Sequence, residues 1–151
     1  NGKDYNFISE DCFKERIKNS AYVEYAIVFK NYYGSSHANV MKLLKDGYDV
    51  LFDIDWQGAK QLKNSNYSNI LSFFIMPPSK NIIYDRLLQR SIFSGDNEEA
   101  INMRMAMYET EIKHKDEYDY IIINNNLVEC VNKIHSLIDN LYFFSYWALS
   151  I

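Results

Sequence analysis

The sequence is poor in the features that mark several protein classes. Its two cysteines, Cys12 and Cys130, have no C-x-x-C or metal-ligand spacing, which favours ordinary buried thiols in a reducing cytoplasm. The longest apolar stretches, ILSFFIM and LYFFSYWALSI, are shorter than the roughly 20 residues that a membrane-spanning helix needs. No N-terminal signal pattern is present, so we expect a soluble cytoplasmic protein.

The sequence also lacks an excess of positive charge. Its formal net charge is -4 at pH 7, which predicts no binding to nucleic acid or to an anionic membrane. A polyphosphate site would therefore have to concentrate basic residues locally. With 151 residues, of which 48% are hydrophobic and 16% aromatic, the chain fits one globular domain with a sizeable core.

Helix and strand patterns alternate along the chain. In the first half we predict a short strand, a helix capped by Ser9, a second strand, a turn, a helix closed by Gly47 and a third strand. The non-helical segments are, in order, DYNFIS, AYVEYAIVF, NYYGSS and YDVLFDI.

The second half repeats this alternation. We predict a short helix over WQGAKQLKN, a strand over ILSFFIM, a helix from the Ser79 cap to about Arg90, and a polar loop over SIFSGDN. A helix from about Asn97 to Lys113, the strand YDYIIIN and an apolar-faced helix complete the chain. Apolar strands separated by helices are typical of a parallel sheet covered on both faces, so the predicted fold class is α/β.

Asp53 and Asp55 lie at the carboxyl end of a predicted strand. Ligands of open parallel sheets bind at such ends. Strand residues two apart point the same way, and two adjacent carboxylates repel unless a cation or hydrogen-bond donors share them. Alternatively, these acids only cap the following helix, and both interpretations stay open.

Arg86 and Arg90 lie four residues apart on one predicted helix and therefore share a face, while Arg104 follows beyond the polar loop. A solvated helix face explains such a pair. The alternative is an anion site, because phosphoryl transfer chiefly requires positive charge and correct alignment around the migrating group. In that case the loop between the two helices would act as a lid.

Glu24 stands in an otherwise apolar strand. It is either a surface-facing carboxylate or an acceptor for a ligand edge with adjacent donors, such as N1-H and N2-H₂ of guanine, to which Ser35 could add a hydrogen bond at O6. Tyr5 and Tyr33 carry hydroxyl groups that can hold a phosphate. His37, His114 and His135 show no metal spacing, and we assign them no role.

Seven segments, in this order and with these gaps, resemble guanylate kinase of the bacterial type. They are NGKDYNF, VEYA, NYYGSS, DIDWQGAKQLK, FIMPPS, RLLQR and YDYIIIN. The resemblance covers nearly the whole chain and implies a three-layer sandwich of the P-loop nucleoside monophosphate kinase type, with a parallel central sheet, a small GMP-binding subdomain and a lid. It also implies Mg²⁺-dependent phosphoryl transfer from ATP to GMP.

The same resemblance implies residue roles. Glu24, Ser35 and Asp53 would contact guanine, Tyr5 and Tyr33 would hold the GMP phosphate, and Gly34 would let the backbone approach it. Asp55 would lie near Mg²⁺, through water. The residues implied around the transferring phosphoryl group and ATP are Arg86, Arg90, Arg104 and Asn124.

The family's phosphate-binding loop, G-P-S-G-x-G-K-[ST], does not occur in these residues. We therefore expect that a stretch of about 50 residues precedes them, that the chain alone is not a competent kinase, and that apolar sheet surface is exposed. Smaller departures are Ser91, where glycine is common, and Asn125, where aspartate is usual.

We predict one N-terminally incomplete guanylate kinase-like domain over residues 1–151. Its GMP-binding region would span about 1–47, its core about 48–90 and 104–151, and its lid about 91–103. The protein would be a monomer or homodimer. The alternatives are a guanylate-kinase-like protein-interaction module and, less favoured, a kinase for another nucleoside monophosphate.

Overall fold

The computed structural model describes residues 5–67 and 69–148, with side chains through residue 141. The chain forms two compact units, Asn1–Ile70 and Leu71–Ile151, and each is described here by itself. No helix of the described residues is both long and apolar enough to cross a bilayer.

The first unit combines a β-hairpin with three helices. Its elements are α1 (Glu10–Lys18), β1 (Tyr22–Val28), β2 (Asn31–Ser36), α2 (His37–Lys45) and α3 (Trp56–Lys63). The predicted cap of the first helix is confirmed, because the Ser9 side chain accepts a hydrogen bond from the backbone N-H of Cys12. Gly47 follows α2 with a φ of 84°, in the left-handed region that suits a residue beyond a helix end.

The segment NYYGSS is a strand, so the predicted turn is wrong. It forms β2, which pairs antiparallel with β1, and the turn lies at Phe29 and Lys30, whose φ values are 49° and 64°. Two positive φ values in a two-residue loop match the twist of a hairpin, but this position usually carries Asn-Gly. The local sequence therefore gives no signal for the real turn.

Position 34 of β2 is occupied by glycine, because the neighbouring atoms leave no room for a side chain. A Cβ atom there would lie 3.0 Å from Cζ of Phe13 and 3.1 Å from the carbonyl oxygen of Glu24. The Phe13 ring also stacks on Tyr22, with 4.5 Å between ring centroids. The glycine thus allows α1 to pack closely on the hairpin.

Two other predicted strands do not form. Neither residues 5–9 of DYNFIS nor the segment YDVLFDI is a strand, because among the described residues the strands pair only as β1 with β2 and β3 with β4. A strand requires a hydrogen-bonded neighbour. The alternating apolar residues of the second segment are still used, since Val50, Phe52 and Ile54 pack on the buried core of the first unit. That core consists of Val23, Val40 and Leu62.

The second unit is α/β, as predicted. Its elements are β3 (Phe73–Met76), α4 (Lys80–Ser94), α5 (Glu98–Glu111), a 3₁₀ helix (Ile112–Glu117), β4 (Tyr120–Ile123) and α6 (Leu127–Ala148). Strands β3 and β4 pair in parallel, with Phe74 opposite Ile121. Ile122 of β4 is 1% exposed and lies at the centre of this unit, and Cys130 is also buried. Cys12, in contrast, is only half-buried.

Apolar residues are exposed on this short sheet, as expected. Ile75 is 52% exposed and Ile123 is 59% exposed. Both belong to strands that the sequence marks as apolar throughout, a pattern typical of strands covered on both faces.

The helix α4 continues past its predicted end at Arg90, so the predicted loop SIFSGDN is partly wrong. The last residue of α4 is Ser94. Gly95 closes the helix with a φ of 73°, and its backbone N-H donates to the Ser91 carbonyl at 2.9 Å. The connection to α5 is therefore short. The helix predicted from about Asn97 is confirmed as α5, and Asn97 is its cap, because its side chain accepts from the backbone N-H of Ala100.

Candidate functional site

Glu24 is a buried carboxylate, with 4% of its surface exposed. The interpretation of this residue as a surface-facing strand carboxylate is therefore wrong. Ser35 lies opposite Glu24 in the hairpin, and its hydroxyl donates a hydrogen bond of 2.6 Å to Oε1 of Glu24. Burial raises the pKa of Glu24; the Ser35 hydrogen bonds oppose this shift, and the nearby charge of Asp55 adds to it.

Two glutamines attach α3 to β1. The side-chain amide of Gln61 donates to the Tyr25 carbonyl at 2.6 Å and accepts from the Tyr25 N-H at 3.1 Å. The amide of Gln57 donates to the Ile27 carbonyl at 3.3 Å. Neither glutamine is predicted from the sequence to have this role, although their spacing of four places them on one face of a helix.

Asp55 caps α3, which confirms the helix-cap interpretation for this residue. Its Oδ1 accepts from the backbone N-H groups of Gln57 at 2.9 Å and Gly58 at 3.2 Å, and its Oδ2 accepts from the Gln57 side chain at 2.8 Å. Asp53 differs, because it is exposed and makes no hydrogen bond within the part of the chain that the structure describes. The two acids are therefore not equivalent.

The structure brings the two predicted phosphate-binding tyrosines together. The rings of Tyr5 and Tyr33 meet edge to face, with centroids 5.9 Å apart. Tyr5 is 58% exposed and Tyr33 is 41% exposed, so both are accessible to a ligand. Tyr33 stands opposite Ala26 in the hairpin, two residues from Ser35 along β2.

In the second unit, Arg86 and Asn124 also come together. An Nη atom of Arg86 donates to the carbonyl oxygens of Asn124 at 2.9 Å and Asn125 at 3.5 Å. The backbone N-H of Asn124 in turn donates to the Met76 carbonyl at 2.8 Å. These bonds attach the guanidinium group of α4 to the carboxyl end of the parallel strands, where ligands of such sheets bind.

Arg90 and Arg104 have different surroundings. Arg90 follows Arg86 by one helical turn on α4 and is exposed, which leaves the solvated-face and anion-site interpretations both open. Arg104 lies on α5, with its Nε atom 3.5 Å from Oδ2 of Asp96 in the preceding loop. This pair is partly exposed, so its contribution to stability is small.

No three His, Cys, Asp or Glu side chains lie close enough together to enclose a metal ion in residues 5–67 and 69–148. Mg²⁺ needs no such cage, because it usually keeps several waters and takes one or two carboxylates together with substrate phosphates. A carboxylate has about four acceptor positions. Asp55, which already accepts three hydrogen bonds, therefore retains capacity for a metal-bound water.

Comparisons with known proteins agree with one another. A sequence model of the family described as guanylate kinase matches residues 1–141. The guanylate kinase of Rickettsia prowazekii is 44% identical over 137 residues, which are 91% of this chain and 68% of that protein. The guanylate kinase of Buchnera aphidicola subsp. Schizaphis graminum is 42% identical over 137 residues, which are 91% of this chain and 64% of that protein.

A solved structure gives the same result for the fold. The crystal structure of guanylate kinase from Anaplasma phagocytophilum aligns with a TM-score of 0.72 and 31% identity, over 93% of this chain and 66% of that chain. The chain thus spans about two thirds of the length of these relatives.

Proposed function

Because this chain belongs to the guanylate kinase family of nucleoside monophosphate kinases, we propose that it binds GMP and serves the Mg²⁺-dependent transfer of a phosphoryl group from ATP to GMP. The observation that carries this proposal is the buried carboxylate of Glu24, which Ser35 holds in place. In this proposal the first unit contributes the residues that bind GMP, and the second contributes the arginines.

Glu24 suits the recognition of guanine. No lysine or arginine pairs with its carboxylate among the described residues, and a buried carboxylate is costly unless donors satisfy it. Guanine offers two adjacent donors, N1-H and N2-H₂, whereas adenine has an acceptor at N1 and no amine at C2. A ligand with adjacent donors would therefore be favoured, and AMP would be rejected. Asp53 would add a further contact to the base.

Tyr5 and Tyr33 suit the phosphate of GMP. Their rings lie together and are exposed, and phenolic hydroxyls donate hydrogen bonds to phosphate oxygens. Gly34 separates Tyr33 from Ser35, whose single hydroxyl proton is donated to Glu24 and is therefore not available to O6 of guanine. Ser35 would thus serve the base through Glu24, two residues from the phosphate contact of Tyr33. The close packing around residue 34 already explains why it is a glycine. That the backbone at Gly34 approaches the GMP phosphate stays a prediction.

The arginines supply positive charge for the transfer itself. Phosphoryl transfer is catalysed mainly by alignment and by charge stabilisation, without a covalent intermediate. Arg86 is already oriented by the carbonyl groups of Asn124 and Asn125, which reduces the reorganisation needed when a nucleotide binds. We propose that Arg90 and Arg104 complete the positive surroundings and that Asn124 lies beside the ATP nucleoside.

Mg²⁺, when bound with ATP, neutralises part of the phosphate charge. Asp55 would accept a hydrogen bond from a water of that ion, consistent with its remaining acceptor capacity. Cytoplasmic location, a monomeric or dimeric state and inactivity of the 151-residue chain alone stay predictions. The rival proposal, a protein-interaction module, is not favoured by the comparisons.

The test is an assay of the intact natural protein with ATP, Mg²⁺ and either GMP or AMP. We expect ADP and GDP to form from GMP, with much lower turnover of AMP at equal concentration. Chromatographic identification of the products separates transfer to GMP from simple ATP hydrolysis. Failure to phosphorylate any nucleotide, or equal use of AMP, would contradict the proposal.

A further inference from the structure

Helix α3 approaches β1 at a residue that has no side chain. Gly58 is buried, and a Cβ atom at this position would lie 2.5 Å from Oε2 and 3.2 Å from Cδ of Glu24. The next nearest atom, Cβ of Ile54, would be at 3.3 Å. Unlike Gly47 and Gly95, Gly58 does not have a positive φ. Backbone conformation therefore does not require glycine here, and glycine is disfavoured within a helix.

The helix cannot easily move away from Glu24. Gln57 and Gln61 attach α3 to the Ile27 and Tyr25 backbone on either side of the contact, and Asp55 caps the same turn. A side chain at position 58 would therefore displace the end of the Glu24 side chain and leave the helix in place. Its carboxylate would then move from the position where it accepts the Ser35 hydrogen bond.

We propose that Gly58 is a specificity-determining positioning residue, which leaves the space that the Glu24 carboxylate needs in order to accept the paired donors of guanine. This inference rests on the proposed role of Glu24. It assigns Gly58 no contact with the nucleotide. The expected consequence of filling the space is a loss of discrimination between GMP and AMP in a protein that still folds, because the displaced group is the flexible end of a side chain.

The first experiment uses Gly58→Ala in the intact protein. We expect the KM for GMP to rise about tenfold or more, as for a lost hydrogen bond to a charged group. The KM for AMP and the kcat with saturating GMP should change little, so the preference for GMP falls. Gly47→Ala is a control for the loss of a glycine away from Glu24. Nothing lies within 4 Å of a Cβ there, and because its φ of 84° disfavours alanine, the variant should lower stability but keep the preference.

The second experiment tests the contact itself with Glu24→Ala and the double variant Glu24→Ala/Gly58→Ala. Without the carboxylate, the methyl group that Gly58→Ala introduces no longer meets it, so this substitution should cause no further loss of preference. The melting temperature of the double variant should equal or exceed that of Glu24→Ala, because alanine favours the helix. An additive loss of preference or stability would overturn the proposal.

The outcomes separate this inference from the proposed function. If the natural protein shows no preference for GMP, or Glu24→Ala keeps it, the proposed function of Glu24 fails. If Glu24→Ala loses the preference and Gly58→Ala keeps it, only the role of Gly58 fails. If Gly58→Ala does not fold, recovery of folding in the double variant supports the contact, and failure of both variants to fold overturns it.

Discussion

The hydroxyl group of Ser35 donates to the carboxylate of Glu24 across the β1–β2 hairpin, at a distance of 2.6 Å. Because the hairpin register places these residues opposite each other, the contact depends on the backbone of two adjacent strands. The carboxylate is thus held by its own chain before a ligand binds. Such preorganisation reduces the entropy lost on binding.

We predict that Glu24→Ala lowers the preference for GMP over AMP by about 10- to 100-fold. The variant removes the acceptor for the adjacent donors of guanine, and each hydrogen bond to a charged group contributes about 1.5–3 kcal/mol. The measurement is kcat/KM for both nucleotides with the intact protein. Glu15→Ala, which removes an exposed carboxylate from α1, is the control and should keep the preference. A Glu24→Ala variant that discriminates like the natural protein would disprove this assignment.

We predict that Glu24 makes the protein less stable as the pH rises. Burial raises the pKa of this carboxyl group above its ordinary value of 4.5, so the folded state binds the proton more tightly than the unfolded state. The resulting stabilisation is complete below the ordinary pKa and is lost as the pH rises through the higher pKa of the folded protein. Binding of GMP should show the opposite trend, because it requires the ionised carboxylate.

Comparison with Glu24→Gln separates the effect of Glu24 on the pH dependence of stability from the effects of the other titrating groups. Its free energy of unfolding, measured with urea at several pH values, should match that of the natural protein in acid and exceed it at higher pH. A difference between the two proteins that does not vary with pH would show that Glu24 titrates alike in the folded and unfolded states.

Local signals in the sequence predict the helices well. Ser9 and Ser79 each cap a helix as predicted, because a cap depends on residues within one turn of it. The helix predicted from about Asn97 also forms, with Asn97 as its cap. The parallel strands β3 and β4 also follow from short apolar runs bounded by polar residues. The error at the end of α4 has a local cause too, since Gly95 stops the helix later than the polar residues suggest.

Long-range contacts explain the wrong predictions. The apolar segment YDVLFDI has the composition of a strand but no partner among the described strands. Gln57 and Gln61 look like surface residues until α3 lies against β1 and their amides meet its backbone. The need for glycine at residue 58 likewise depends on Glu24, which lies far away in the sequence. Such requirements arise only once the elements pack.

Asp55 allows a structural role to be separated from a role near Mg²⁺. We predict that Asp55→Ala destabilises the protein by about 0.5–2 kcal/mol, because α3 loses its cap. Asp55→Asn should stay close to the natural protein in stability, since asparagine caps helices almost as well, while the Mg²⁺ concentration for half-maximal activity rises. Thermal denaturation and magnesium titrations measure the two effects. An unchanged magnesium dependence in Asp55→Asn would leave Asp55 with the structural role alone.

Arg90 provides the test of the anion-site interpretation. We predict that Arg90→Ala lowers kcat by about 10²-fold or more, because removal of one group that stabilises developing charge has effects of this size. Stability should change little, since Arg90 is exposed on α4. Arg16→Ala is the control, because it removes an exposed arginine from α1 and should leave kcat unaltered. Steady-state rates at saturating ATP and GMP decide the matter. A rate for Arg90→Ala equal to that of Arg16→Ala would establish that Arg90 belongs only to a solvated helix face.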